Sequence, residues 1–268
     1  MANNLKDESL QDECTWLSCK IKELQSDKPH WSIVFCAYNE EDYLIPTIKS
    51  ISAISTTLPI EIIAVNNAST DRTREILEQC WVKVIDEKQK WLSYARNAWL
   101  EAAEWELIFQ TDADTKVPST WVDAHNRNYI DEGIWWVSWR IEFEDVCMLY
   151  YLYRAWAISY HFLLGMIWKA PLCTWWANLS YRKEKVISMW WFTKWCDNGE
   201  DILLFHKLSK VSKTVIDMSK KVNVLTNWRR YEKSSQIVAH IKKKFGVMNE
   251  RIFSSDIIPL NQGFEDVR

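Results

Sequence analysis

Glycine is scarce in this chain. Average usage of about 7% would place roughly 19 glycines in a protein of this length, yet 268 residues hold 5 Gly beside 18 Trp. The shortage excludes glycine-dependent phosphate loops: no G-x-G-x-x-G follows a strand, so a dinucleotide-binding dehydrogenase is disfavoured. The Gly-rich, Arg-containing loop of a sugar-phosphate nucleotidyltransferase is also missing after the first apolar run. The 7 Cys form no C-x-x-C pair and are odd in number, which points away from zinc and from a disulfide framework and towards a reducing cytoplasm. Net charge is −3, without the basic excess that nucleic-acid binders show, so no nucleic-acid partner is expected. The first thirty residues carry no basic start followed by an apolar stretch, so no signal peptide is expected there.

Hydrophobic residues make up 48% of the chain, enough for one large domain with a full core. Trp31 to Cys36, Ile60 to Val65, Val82 to Ile85 and Leu107 to Gln110 are short apolar runs of strand length. Helical patterns intervene over Arg72 to Cys80 and Leu92 to Ala103, the first opened by a Ser69-Thr70-Asp71 cluster suited to capping. This alternation predicts an α/β fold with a mostly parallel sheet whose βα turns open on one edge. The fourth run ends in Asp112-Ala113-Asp114, two carboxylates one residue apart at a strand exit. A hard cation prefers one or two carboxylates plus substrate phosphates, and open α/β sheets bind ligands at the carboxyl ends of their strands. A solvated turn is the bland alternative for an isolated Asp-x-Asp.

The chain resembles the family-2 glycosyltransferases of the GT-A fold. The resemblance is carried by Ala37-Tyr38-Asn39-Glu40, Asn66-Asn67-Ala68-Ser69-Thr70-Asp71, Leu92-Ser93-Tyr94-Ala95-Arg96-Asn97-Ala98, Asp112-Ala113-Asp114 and Gly199-Glu200-Asp201. These occur in family order over about residues 31 to 230. It implies inverting, non-processive transfer of one sugar from a nucleotide-diphosphate sugar to a hydroxyl, in envelope glycan or polysaccharide synthesis, with a glycan or lipid-linked acceptor. Ala37, Tyr38, Asn39, Glu40, Asn66, Asn67, Arg96, Asp112 and Ala113 are then expected at the donor nucleotide, and Asp114 with Asp112 on Mg²⁺ or Mn²⁺. Asp201 is the expected general base beside Glu200, with helix capping by the acidic pair as the alternative. Trp175, Trp176, Ala177 and Asn178, with Arg229 and Arg230, are expected around the donor sugar and acceptor. The chain departs from the family at Asn66 and Asn67, where an Asp commonly accepts a hydrogen bond from the nucleobase. The Gln-x-x-Arg-Trp signature of processive synthases is absent.

The expected organisation is an N-terminal tail or helix over 1–30, a nucleotide-sugar half over 31–115, an acceptor and catalytic half over 116–230, and a C-terminal helix and tail over 231–268. The apolar stretch 147–168 includes Arg154 and His161, which are costly in lipid. It is expected to be a cleft wall, with peripheral contact at the inner face of a membrane through its Tyr and Trp residues as the alternative.

Tryptophan stands where glycine would be expected at Trp81, Trp91, Trp99, Trp105, Trp139, Trp175, Trp176, Trp190, Trp191, Trp195 and Trp228, and the resemblance implies glycine or another small residue at several of these positions. Two readings follow. Either the protein is genuinely rich in tryptophan and its site is impaired, leaving a GT-A-like binding or scaffold protein, or UGA codons that encode glycine have been rendered as tryptophan. Under the second reading, Trp91 and Trp99 are expected to crowd a backbone that needs glycine.

Overall fold

The computed structural model describes residues 2–144, 151, 159, 177–189, 204, 208–217 and 222–227. Helix α1 (Ala2–Leu24) leads into β1 (Trp31–Ala37), α2 (Leu44–Ser52), β2 (Ile60–Asn67), α3 (Thr73–Gln79), β3 (Lys83–Glu87), α4 (Leu92–Ala102) and β4 (Leu107–Gln110). After these come β5 (Thr115–Lys116), α5 (Trp121–Asn126), a 3₁₀ turn (Arg127–Ile130), β6 (Ile134–Trp139) and β7 (Ile141–Phe143). The described second half holds β8 (Leu179–Arg182), a short helix α6 (Lys183–Ser188), β9 (Lys213–Asp217) and β10 (Val224–Thr226). The four apolar runs are thus β1 to β4.

The main sheet has seven strands in the order β3-β2-β1-β4-β8-β6-β9. Strands β1 to β4 are mutually parallel, whereas β8 is antiparallel to both β4 and β6. Every residue of β2 is buried, as a continuous Ile/Val run requires when helices cover both faces of a parallel sheet. Cys14, Leu17, Ile21, Leu44, Ile48, Ile76 and Leu77 belong to the core on one face; Ala95, Trp99, Leu100, Val186, Leu204 and Leu208 belong to the core on the other. The N-terminal segment is therefore a core helix: burying Cys14, Leu17 and Ile21 ties it to the sheet. A second sheet, β5-β10-β7, joins residues from both halves, with Thr226 opposite Thr115. The expected boundary after residue 115 falls within β5.

The glycine question separates by position. Trp81 has φ of 61°, a left-handed conformation that Cβ disfavours. It follows α3 in a helix-ending motif in which Trp81 N–H donates to Glu78 O (3.0 Å) and Val82 N–H donates to Leu77 O (3.1 Å). Glycine is the usual residue at that point. Trp91 and Trp99 correct the expectation of crowding. Trp91 is extended (φ −96°, ψ 134°), and Trp99 lies inside α4. The Trp99 ring is buried and its Nε1 donates to Tyr181 Oη at 3.0 Å. Trp105 and Trp139 have no positive φ either, and Trp175, Trp176, Trp190, Trp191, Trp195 and Trp228 lie outside the described residues.

Opposite signs are expected at the two positions. Trp81→Gly should raise stability by about 0.5–1 kcal/mol, relief of the left-handed strain being partly offset by the freedom glycine gains in the unfolded chain. Trp99→Gly should lower stability by roughly 3–5 kcal/mol for the lost ring, and further for glycine within a helix. Thermal denaturation of both variants checks this; a lower melting temperature for Trp81→Gly would remove the structural support for glycine at that position.

Candidate functional site

Strand order places a ligand cleft before any side chain is considered. From β1 the chain winds outward through β2 to β3, then crosses back to set β4 against the other side of β1. The turns after β1 and β4 therefore diverge, opening a crevice at the carboxyl ends of adjacent strands, where α/β sheets bind ligands. Ala37-Tyr38-Asn39-Glu40 follows one of these strands and Asp112-Ala113-Asp114 the other.

The turn after β1 interlocks with the turn after β2. Asn39, at φ 53°, accepts from Thr70 N–H through Oδ1 at 2.8 Å, and its own N–H donates to Ser69 Oγ at 3.1 Å. Glu40 N–H donates to Thr73 Oγ1 (2.7 Å) and Glu41 N–H to Asp71 Oδ2 (3.2 Å). Asp71 Oδ1 takes the Thr73 N–H at 3.0 Å, which caps α3. Burial pushes the Asp71 carboxyl pKa upward, but the bonds from Thr73 and Glu41 outweigh it and hold the group below its ordinary value. Tyr38 is left half-exposed on this braced turn, and Ala37 and Glu40 are buried.

Asn66 and Asn67 end β2 on opposite faces, as strand alternation demands. Asn66 Nδ2 donates to Asp86 Oδ1 on β3 at 2.8 Å, and its Oδ1 accepts the Ser69 N–H at 3.3 Å. Asn67 is buried, and its Oδ1 has no hydrogen-bond partner among the described residues. A buried acceptor left open costs free energy, so this amide marks the strand end as a place for a polar ligand group.

Past β4, burial alternates: Thr111, Ala113, Thr115 and Val117 are buried, and Asp112, Asp114 and Lys116 are half-exposed. Thr47 Oγ1 donates to Ala113 O at 2.8 Å, holding the segment to α2. Asp114 Oδ1 accepts from Thr226 Oγ1 at 3.3 Å, and Thr226 Oγ1 also bonds Thr115 Oγ1 at 2.9 Å. Thr226 thus ties β10 to the acidic turn. Its role was invisible in the sequence, since the contact spans 112 positions.

Arg96 is buried on α4. Its cation lies close enough to Cys36 to oppose the large upward shift that burial imposes on that thiol, and Asp112 adds to the rise. Arg96 and Asp112 thus act with opposite sign on the thiol near the end of β1. No cluster of three or more His, Cys, Asp or Glu suited to a metal occurs among the described residues. Asp112 and Asp114 suit a hard divalent cation that draws its remaining oxygens from phosphates.

Asn178 corrects an expectation. Rather than lining a pocket, it is fully buried and saturated. Its Oδ1 accepts from Trp121 Nε1 (2.8 Å) and pairs with His125 Nε2 (2.9 Å), and its Nδ2 donates to Arg140 O and Val222 O, both at 2.9 Å. Ala177 beside it is buried as well. The network extends from His125 Nδ1 to Ser180 Oγ and on to Tyr129 Oη, each at 2.8 Å. Because Asn178 Oδ1 only accepts, His125 carries its proton on Nε2 and receives one at Nδ1 from Ser180. A second proton on the ring would break that bond.

Burial accordingly lowers the His125 pKa to about 4, the Asn178 bond only partly opposing it. Between about pH 6.5 and 4 the unfolded chain binds a proton that the folded chain refuses, so stability is fullest above 6.5 and falls with pH. At about 1.4 kcal/mol per pH unit the loss amounts to roughly 3 kcal/mol. Denaturant titrations at pH 7 and pH 4 should show it in the native protein and not in His125→Gln; equal slopes in both would refute the neutral-histidine brace.

Glu200, Asp201, Trp175, Trp176, Arg229 and Arg230 lie outside the described residues, as does most of 147–168. No described helix is long and apolar enough to cross a membrane.

Residues 32–163 match the family model described as glycosyl transferase family 2. A cholesterol galactosyltransferase of Borreliella burgdorferi is 29% identical over 129 residues, covering 46% of this chain and 33% of its own length. The chain thus spans about a third of that curated relative. Among solved structures, the mannosyltransferase PcManGT from Pyrobaculum calidifontis, in complex with GDP-Man and Mn²⁺, is similar with a TM-score of 0.61 at 14% identity, over 93% of this chain and 74% of that one. S. aureus TarS 1–349 in complex with UDP-GlcNAc is similar with a TM-score of 0.58 at 18% identity, over 77% and 60% of the two chains. At these identities the structural likenesses speak for the fold. Sheet order, turn motifs and the match over residues 32–163 together make this chain similar to glycosyl transferase family 2 proteins, with a fold matching that of GT-A glycosyltransferases.

Proposed function

We propose that the chain transfers a single sugar from a nucleoside-diphosphate sugar to an acceptor hydroxyl, with inversion at the anomeric carbon. The observation that carries this reading is the placement of Asp112 and Asp114 just past β4 and of the Tyr38-Asn39 turn just past β1, the two strands being parallel neighbours that meet at the switch point. A nucleoside diphosphate leaves as an anion, and two carboxylates alone would repel it. Asp114, helped by Asp112, is the fitting holder for Mg²⁺ or Mn²⁺, which when bound neutralises the diphosphate and eases its departure. The bound donors named for PcManGT and TarS, GDP-Man with Mn²⁺ and UDP-GlcNAc, are consistent with such a donor here.

The chain's own groups carry the rest. Asn66, Asn67 and the Ala37-Tyr38-Asn39-Glu40 turn enclose the nucleoside, and Arg96 supplies positive charge on the phosphate side. Asp201 removes the acceptor hydroxyl proton as that oxygen bonds to the anomeric carbon and the bond to the phosphate oxygen breaks. One displacement inverts the centre. Glu200 supports this base, while Trp175, Trp176, Arg229 and Arg230 bound the sugar and acceptor. A glycan or lipid-linked acceptor in envelope or polysaccharide synthesis, met from the cytoplasm, completes the reading.

A panel of UDP-, GDP-, CMP- and dTDP-sugars with Mn²⁺, scored for nucleotide release, tests this function. Release from at least one donor, abolished by EDTA, is expected. No release from any donor, with the protein folded, would favour the impaired binding protein instead.

A further inference from the structure

Cys14 and Cys80 are free thiols on different helices that meet inside the core. Cys14 lies on the inward face of α1 together with Leu17 and Ile21, and Cys80 caps the carboxyl end of α3, where its N–H donates to Ile76 O at 3.0 Å. Each is exposed by 1% or less. Helix α1 packs on α3, and the two side chains hydrogen-bond each other through sulfur. A bond between thiols is weak, so it does little to hold the helices together. What it does is set two sulfurs, distant in sequence, within a small side-chain rotation of the S–S bond length of about 2.0 Å.

We propose that Cys14 and Cys80 are an oxidation site: a peroxide joins them in a disulfide that locks α1 onto α3. Hydrogen peroxide first gives one sulfur an oxygen, forming a sulfenic acid and releasing water. The second sulfur then displaces that oxygen as another water, so two thiols and one peroxide become one disulfide and two waters, with two electrons passing from sulfur to oxygen. Burial raises both thiol pKa values, and the bond between them eases the rise at Cys14 while adding to it at Cys80. Cys14 therefore ionises first and attacks. Buried and protonated, the pair reacts slowly in the closed fold and oxidises as α1 opens from the sheet. The bridge closes a long loop, and in the chain-entropy model long loops gain most from closure. Cys80 stands at the end of α3 opposite Asp71 and Thr73, which brace the Asn39 turn. The lock thus acts on stability and leaves that turn alone.

Treatment of the full chain with hydrogen peroxide to completion, followed by alkylation, digestion without reductant and peptide mapping, tests the pairing. A peptide joined through Cys14 and Cys80 is expected. The melting temperature of the oxidised protein should rise by about 5–10 °C and return to its starting value in dithiothreitol. Cys14→Ala and Cys80→Ala should each lose both the joined peptide and the reversible rise. Cys19→Ser, at an exposed thiol on the same helix, should keep both. Native protein that yields no Cys14–Cys80 peptide, or that joins either cysteine to another, would overturn the pairing. A joined peptide with an unchanged or lower melting temperature would overturn the lock.

Discussion

Asp114→Asn is expected to cut sugar transfer by about 10²-fold or more and to leave nucleotide binding indifferent to Mn²⁺, because loss of one carboxylate charge removes a principal holder of the cation beside the diphosphate. The fold should survive. The amide oxygen of the variant can still accept from Thr226 Oγ1, the 3.3 Å bond that joins the acidic turn to β10. The melting temperature without ligand should therefore stay close to native while kcat/KM for the donor falls. A variant that keeps native turnover and native EDTA sensitivity would remove Asp114 from the metal site.

A second large effect is expected at Asp201. Asp201→Asn keeps the shape of the side chain but cannot accept the acceptor's proton, so kcat should fall by about 10²–10⁴-fold with donor affinity almost unchanged. Glu200→Gln should cost less. The contrast matters because a capping role alone would lower stability, not kcat, and would leave turnover per folded molecule intact. Native turnover in Asp201→Asn would move the base elsewhere.

Strands β1 to β4 could be read directly because each is a run of apolar residues closed by a polar turn, and the physics that forms them is local. Their turns carry the Asn39, Asn66 and Asp112 segments to one sheet edge for the same reason. Three features escaped this kind of reading. Strands β5, β7 and β10 have two or three residues each, too few for a periodic pattern, and they exist only through pairing across long sequence separations. Asn178 resembled a pocket amide because nothing in its neighbours announces that Trp121, His125, Arg140 and Val222 will converge on it. Asp86 gains its partner only through its register opposite Asn66, which no local pattern in β3 announces.

The tryptophans illustrate the same limit from the other side. Composition flags a shortage of glycine but cannot say which backbone suffers from it. Dihedral angles do: Trp81 occupies a conformation suited to glycine, while Trp99 is a helical residue with a buried ring and a hydrogen-bonded indole.

The central claim is that the crevice between β1 and β4 holds a nucleoside diphosphate together with a divalent cation. Isothermal titration of UDP and of GDP into the folded protein, with Mn²⁺ and then with EDTA, tests it most directly. The account predicts saturable binding of at least one nucleotide with Mn²⁺, weakened by about tenfold or more in EDTA, as expected when a cation links two carboxylates to a diphosphate. Equal affinity with and without the metal, or no binding of either nucleotide, would contradict it.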